Sequence, residues 1–365
     1  MSKVEIPRHV LLSVEKPARY TGGEWNSVIK EYPEELIRTV LCFPDVYEIG
    51  MSHLGMKILY HMLNERDDVY CERSFMPWVD MKAKMDSGKI PLFSLETKTP
   101  LNRFDIVGFT LQYEMCYTNV LHMLDMGDIP LHSADRTAAD PLVIAGGPCV
   151  FNIEPMADFF DAVFIGESEE QLSDFMDLYS EYSGAAGGFD KDGFLHKAAV
   201  SIKGIYIPKF YNVEYHPDGA VAKINPVHDD LPDKITKALV MEPDKVYFPS
   251  RIIVPNIEAV HDRVSLELFR GCTRGCRFCQ AGFVTRPVRE RTPGKLFKKA
   301  VESQRATGYE EIGLLSLSTG DYSGLSELTT LLIEKTKGTG ISLSLPSLRL
   351  DSFNADILEK ASGSR

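Results

Sequence analysis

The chain has 365 residues, 44% of them hydrophobic, and 40 Lys+Arg against 52 Asp+Glu give a formal net charge of −12. That length suits two domains, possibly a third, and the acidic balance gives no sign of nucleic-acid binding through bulk charge. Charges inside the N-terminal MSKVEIPRHVLLSVEKPARY argue against a secretory signal, and no apolar run reaches the ~18 residues that span a bilayer, so a cytoplasmic protein is expected.

Residues 1–36 read as a lead-in. From 37 to 182 strand-like and helix-like patterns alternate. IRTVLCFP (37–44) is a strand, and SHLGMKILYHMLNER (52–66) repeats its apolar residues at helical spacing. A short strand follows at Asp68–Glu72. FDIVGFTLQ (104–112), PLVIAGG (141–147) and AVFIG (162–166) are further strands, the last leading into the helical EEQLSDFMDLYSEY. Apolar strands alternating with helices predict a parallel, doubly wound α/β sheet. Ligands sit beyond the carboxyl ends of such strands, here the segments 48–55, 110–117, 146–152 and 166–167.

Residues 183–262 read as a break. SGAAGGFDKD (183–192) is a Gly-rich loop, and FYNVEYHPDGAVAKI (210–224) is a β-hairpin about a Pro-Asp-Gly turn. The Pro-rich 225–262 reads as a connector. A second β/α module occupies 263–365. It opens with the strand VSLELFRG (264–271). A helix follows over about Pro293–Ala306, with Thr292 as N-cap and Gly308 as C-cap. EIGLLSLS (311–318), a helix over Leu325–Lys337 and ISLSLPSLRL (341–350) complete it. Chemistry at strand ends suits the start of a β/α barrel.

There are seven cysteines. Cys42, Cys71, Cys116 and Cys149 are scattered in apolar surroundings and read as buried thiols rather than disulfides. Cys272, Cys276 and Cys279 fall within eight residues, in Arg270-Gly-Cys-Thr-Arg-Gly-Cys-Arg-Phe-Cys279. Thiolates are what iron–sulfur clusters require. Three of them hold three corners of a cubane and leave the fourth iron open. The competing reading is zinc, which takes four protein ligands in a structural site; the nearest further candidate, His261, lies at the far end of the strand. Gly271 and Gly275 let the backbone wrap tightly.

C-x3-C-x-aromatic-C just after the first strand of a β/α module resembles the signature of the radical S-adenosylmethionine (SAM) superfamily. That resemblance implies a [4Fe–4S] cluster on Cys272, Cys276 and Cys279, chelation of SAM by the open iron, and its reductive cleavage to a 5′-deoxyadenosyl radical. It implies an electron donor of flavodoxin or ferredoxin type as partner. Phe278 takes the aromatic position near the adenine. Gly320 and Asp321 fall where the superfamily holds the methionyl amine, with Asp in place of Glu; a helix cap is an equal reading of Asp321. Ser344, Ser347 and Arg349 are candidates for the ribose or carboxylate. Arg286, Arg289 and Arg291 form either an anionic substrate or cofactor site, or a solvated charged loop or domain contact.

A doubly wound domain ahead of such a module resembles the cobalamin-binding class of the superfamily, through GMSHLGMKILYHMLNER, FDIVGFTLQYE, VIAGGP and the cysteine loop. By that resemblance Thr110, Gly146 and Gly147 stand where the nucleotide tail of cobalamin enters. The Asp-x-His-x-x-Gly motif is missing, so His53 reads as a helix-start residue rather than a cobalt ligand. Cobalamin without a protein ligand and a vestigial domain are both open. The expected reaction is methyl transfer to, or rearrangement at, an unactivated carbon. Two alternatives stand beside it: a methylthiotransferase, which would bring further clustered cysteines, and a truncated metal-binding module, since the chain holds only the opening units of a barrel.

Overall fold

The computed structural model describes residues 3–31, 35–184 and 188–349. The chain divides into two compact units. One comprises residues 1–23, 27–50 and 59–239; the other comprises 24–26, 51–58 and 240–365.

The first unit holds a six-stranded sheet. Its strands are β1 (Ile37–Phe43), β2 (Val69–Phe75), β3 (Ile106–Thr110), β4 (Leu142–Gly146), β5 (Ala162–Phe164) and β6 (Ile205–Tyr206), in the order β2-β1-β3-β4-β5-β6. The first five are parallel and β6 is antiparallel to β5. Helices α1 (Leu54–Asn64), α2 (Val79–Gly88), α3 (Tyr117–Met126) and α4 (Ser168–Ser183) connect them. The boundary between the units falls within α1. Strand order reverses between β1 and β3, which makes the carboxyl ends of those strands the switch point of a doubly wound sheet.

β2 runs three residues beyond the expected Glu72, to Phe75. The charges at Glu72 and Arg73 disguise a fully buried strand. Burial is tolerated because each finds a partner: Arg38 Nη2 lies 2.8 Å from Glu72 Oε1 and Arg73 Nε 2.6 Å from Glu96 Oε1. Ser94 Oγ and Thr97 Oγ1 donate to the other Glu72 oxygen at 2.6 and 2.7 Å. A helix that the sequence reading did not assign, α5 (Lys191–Ser201), follows the Gly-rich stretch, of which residues 185–187 lie outside the described residues. Asp190 caps it by accepting from the Gly193 N–H at 3.0 Å. The hairpin forms as β7 (Tyr211–Tyr215) and β8 (Val221–Pro226).

The sequence reading set boundaries at 182 and 262, whereas the hairpin belongs to the first unit and residues 240–262 to the second. Phe248 and Ile252 are buried in the second unit's core. Arg289 and Arg291 also donate to the Val240 and Pro243 carbonyls.

The second unit contains β9 (Val264–Glu267), β10 (Phe269–Arg270), β11 (Arg289–Glu290), α6 (Pro293–Thr307), β12 (Glu311–Leu315), α7 (Leu325–Thr336) and β13 (Ser342–Ser344). β13, β12 and β9 form a parallel sheet in that order. Val264, Leu266, Ile312 and Leu314 share a core with Leu296 and Ala300 of α6 and Leu328 and Leu332 of α7. Each fully buried leucine contributes about 1.5–3 kcal/mol. Alternate residues Ser265, Glu267, Gly313 and Ser344 take the opposite face. This is the strand-helix-strand succession that opens a β/α barrel. Gly308 ends α6 in the left-handed region as expected, but the Thr292 side chain makes no capping bond. The Thr292 N–H is held instead by the Asp244 carboxylate at 3.2 Å. Among the described residues no helix is long and apolar enough to cross a membrane.

Candidate metal centre

The expected strand VSLELFRG breaks at Leu268. Leu268 still donates to the Leu315 carbonyl at 2.9 Å, but Phe269–Arg270 turns to pair antiparallel with Arg289–Glu290. The eighteen-residue excursion between β10 and β11 is therefore pinched at its base, and it carries all three clustered cysteines. Glu267 anchors the base. Arg270 approaches its two oxygens at 3.0 and 3.1 Å, and Arg291 Nη2 reaches Oε2 at 2.9 Å. Burial alone would raise the Glu267 carboxyl, but the two arginines outweigh it and hold it below the usual carboxylate range. Arg289 is buried and donates to the carbonyls of Pro287, Val240 and Thr285. Arg289 and Arg291 thus tie the loop base to Val240 and Pro243, a contact role rather than an anion site or a solvated loop. Arg286 lies over the Phe283 ring at 4.5 Å and reaches the Cys272 carbonyl at 3.4 Å.

Gly271 must be glycine. Its φ is 91°, and a Cβ there would stand 2.4 Å from the Pro287 carbonyl oxygen. The cysteines follow, each partly exposed. Cys279 N–H donates to the Cys276 carbonyl at 3.0 Å, folding the last two around a tight turn. The Gly282 N–H points at Cys279 Sγ from 3.4 Å. A Cβ on Gly282 would lie 3.6 Å from Cys279 Sγ and 4.0 Å from Cys272 Cβ, so both cysteines border one small volume that glycine keeps clear.

The turns after β12 and β13 come to the same loop. Arg349 Nη1 lies 3.6 Å from Cys276 Sγ. Asp321 sits in the turn Thr319–Asp321 with Gly320, and Arg274 of the cysteine loop grips it: Nε donates to Oδ2 at 2.7 Å and Nη2 to Oδ1. That contact, with Arg349 nearby, lowers the Asp321 carboxyl. Thr319 binds the two turns together, its N–H donating to the Ser347 carbonyl at 3.3 Å and its Oγ1 to the Pro346 carbonyl at 2.7 Å. Ser347 is left-handed, with φ 60°. Ser344 instead accepts from Arg263 at 3.3 Å, as does His261 Nδ1 at 3.1 Å. Phe278 projects 91% exposed. Sequence reasoning did not single out Arg274 or the Gly282 N–H; the concentration of arginine and glycine in the motif was the available signal.

The donor set suits a cubane. Cys272 and Cys279 border a common volume, the Gly282 N–H is aimed at the Cys279 sulfur, and Arg349 lies 3.6 Å from the Cys276 sulfur. The other four cysteines are buried, and burial pushes their thiols up, that of Cys149 to about 11. Thiols held protonated in this way are poor metal ligands.

In the first unit, Thr110 and Gly146 are paired across β3 and β4 at the carboxyl edge. Thr110 Oγ1 accepts from Gln112 Nε2 at 2.6 Å. A Cβ on Gly146 would meet only ordinary contacts, the nearest at 3.7 Å. At Gly147, φ is 107° and a Cβ would lie 2.6 Å from the Leu111 carbonyl oxygen, so the chain's own backbone requires that glycine. At the switch point the Tyr113 hydroxyl donates to Asp45. Ile49, Tyr113, Met115 and Phe151 leave apolar surface exposed along the same edge. His53 Nδ1 accepts from the Met56 N–H at 3.1 Å, which is the geometry of a helix-start residue.

A family model of radical SAM proteins, N-terminal, matches residues 55–208, and the radical SAM superfamily model matches residues 266–364, spanning the cysteine loop. The chain belongs to the radical SAM superfamily. Among its relatives, the uncharacterized protein MJ0966 of Methanocaldococcus jannaschii is 25% identical over 327 residues, covering 89% of this chain and 58% of that protein. Two solved structures resemble this radical SAM chain in fold. One is the radical SAM methyltransferase TsrM from Kitasatospora setae, with cobalamin and a [4Fe–4S] cluster bound. It is 15% identical with a TM-score of 0.53, over 89% of this chain and 57% of that one. The other is the cobalamin-dependent SAM radical enzyme OxsB, with aqua-cobalamin and SAM bound. It is 14% identical with a TM-score of 0.51, over 90% of this chain and 43% of that one. At these identities the likeness is one of fold, and the chain spans a little over half the length of the curated relative it matches.

Proposed function

We propose that Cys272, Cys276 and Cys279 hold a [4Fe–4S] cluster whose fourth iron binds SAM, and that the chain serves a radical reaction initiated there. The observation that carries this reading is the pinched loop after β9, which sets three partly exposed thiols beside Gly282, Arg349 and Asp321. When bound, the cluster supplies the electron that cleaves the SAM sulfonium to a 5′-deoxyadenosyl radical.

The chain's own residues hold the reactants. Asp321 offers a carboxylate to the N–H groups of the methionyl amine, and its lowered pKa keeps it ionised at neutral pH. Arg349 offers a guanidinium to the methionyl carboxylate or to the cluster's negative charge. Gly320 and Ser347 supply backbone beside Asp321, and Phe278 supplies a ring for the adenine. Electrons come from a flavodoxin- or ferredoxin-type donor, in the reducing cytoplasm that seven free cysteines suit.

The first unit we assign to cobalamin, at Thr110, Gly146 and Gly147 on the carboxyl edge. The open contact shell of Gly146 and the exposed apolar side chains on that edge support this reading. Methyl transfer to an unactivated carbon, or rearrangement there, is the reaction that such a pairing serves. Anaerobic reconstitution with iron and sulfide should give a brown protein with roughly four irons per chain. With dithionite and SAM it should release 5′-deoxyadenosine. A colourless protein retaining zinc contradicts the assignment. Hydroxocobalamin should bind with a shift in its visible spectrum, and an unshifted spectrum removes cobalamin alone.

A further inference from the structure

On that reading Asp321 awaits the methionyl amine, yet both of its carboxylate oxygens already receive a guanidinium from Arg274. Arg274 belongs to the cysteine loop, two residues from Cys272 and two from Cys276. We propose that Arg274 is a stand-in donor, which holds Asp321 and this part of the loop until the amine of an amino-acid ligand takes its place. This inference rests on the reading of Asp321 as the amine site.

Three features carry it. First, the fork is side-on and two-pronged, with Nε and Nη2 each reaching one oxygen, so it occupies the positions from which a carboxylate best receives donors. Second, the pair is accessible: the Arg274 side chain is 34% exposed and that of Asp321 is 23%. Water can therefore reach the guanidinium and solvate it when a bound ligand displaces it. Third, the loop has glycines of opposite character on either side. Gly271 is wedged against Pro287, whereas Gly275, next to Arg274 with φ 65°, has only the end of the flexible Arg286 side chain within 4 Å of its Cβ position, at 3.3 Å. Gly275 thus leaves room beside Arg274 for the backbone to turn, whereas Gly271 is held at the loop base. Arg349 also stabilises the Asp321 charge, so the carboxylate stays ionised when Arg274 leaves.

The test is titration of reconstituted protein with S-adenosylhomocysteine, which keeps the amino-acid end and is not cleaved. The Arg274→Gln variant should bind it about two- to fivefold more tightly than wild type. Arg274→Lys, which keeps the charge but loses the fork, should fall between them. Asp321→Asn should weaken binding, and adding R274Q to D321N should change nothing further. In iron-free protein, R274Q and D321N should speed amide exchange at residues 272–276 to the same degree. Equal or weaker binding by R274Q at wild-type iron content overturns the stand-in role and leaves the cluster reading intact. Wild-type protein that carries its cluster but ignores S-adenosylhomocysteine overturns the amine site, and the stand-in role with it.

Discussion

The sheet of the first unit and the cysteine loop of the second use charge in opposite ways. In the first, Arg38–Glu72, Arg73–Glu96 and Arg136–Asp161 are ion pairs whose side chains are almost wholly excluded from solvent. In the second, Arg274–Asp321 stands at the protein surface beside partly exposed cysteines. Buried pairs act as fixed struts, because removing one partner strands the other in a medium that solvates it poorly. Exposed pairs are exchangeable, because water replaces whatever leaves. A sheet that must keep its shape and a loop that must accept ligands call for these two solutions respectively.

The widest separation is expected at the cysteines. Cys276→Ser should abolish iron–sulfur absorbance and SAM cleavage while changing unfolding free energy by no more than about 0.5 kcal/mol. A large stability loss would make the loop structural. Next comes Glu72→Gln, which leaves Arg38 without its carboxylate and should cost about 3–5 kcal/mol in urea denaturation. A cost below about 1 kcal/mol would remove the distinction between struts and exchangeable pairs. Within the loop, Gly271→Ala should cost about 1–3 kcal/mol and lower iron retention. Gly275→Ala should cost less, since only a flexible arginine end lies close.

The smallest effect concerns pH. Glu267 is held below its unfolded pKa, so its contribution is complete above the unfolded value of about 4.3 and fades as pH falls through the folded value. Acid unfolding followed by circular dichroism should therefore show a shallower decline below about pH 4 in Glu267→Gln than in wild type. An unchanged slope would place the acid sensitivity elsewhere.

Much of this architecture was legible because apolar runs such as VLCF, DIVGF and LVIAG have few alternatives to a buried parallel strand. β2 was cut short at Glu72 because local pattern cannot reveal that Arg38, Ser94 and Thr97 wait for that carboxylate. The strand beginning at Val264 read as continuous, since nothing local tells that Phe269 and Arg270 pair with Arg289 and Glu290. At the site, spacing drew attention to the three cysteines, and the resemblance to the superfamily pointed to Asp321 and Arg349, whose side chains lie at the cysteine loop. Arg274 gripping Asp321, forty-seven residues away in sequence, is a tertiary contact with no local signature.

The central claim is that three thiols leave one iron of a cubane open to SAM. Electron paramagnetic resonance of the dithionite-reduced, reconstituted chain measures it most directly. The account predicts a reduced [4Fe–4S] signal whose g-values shift when SAM is added, and loss of that signal in Cys276→Ser. A signal indifferent to SAM, or none at all from protein that holds zinc, would contradict it.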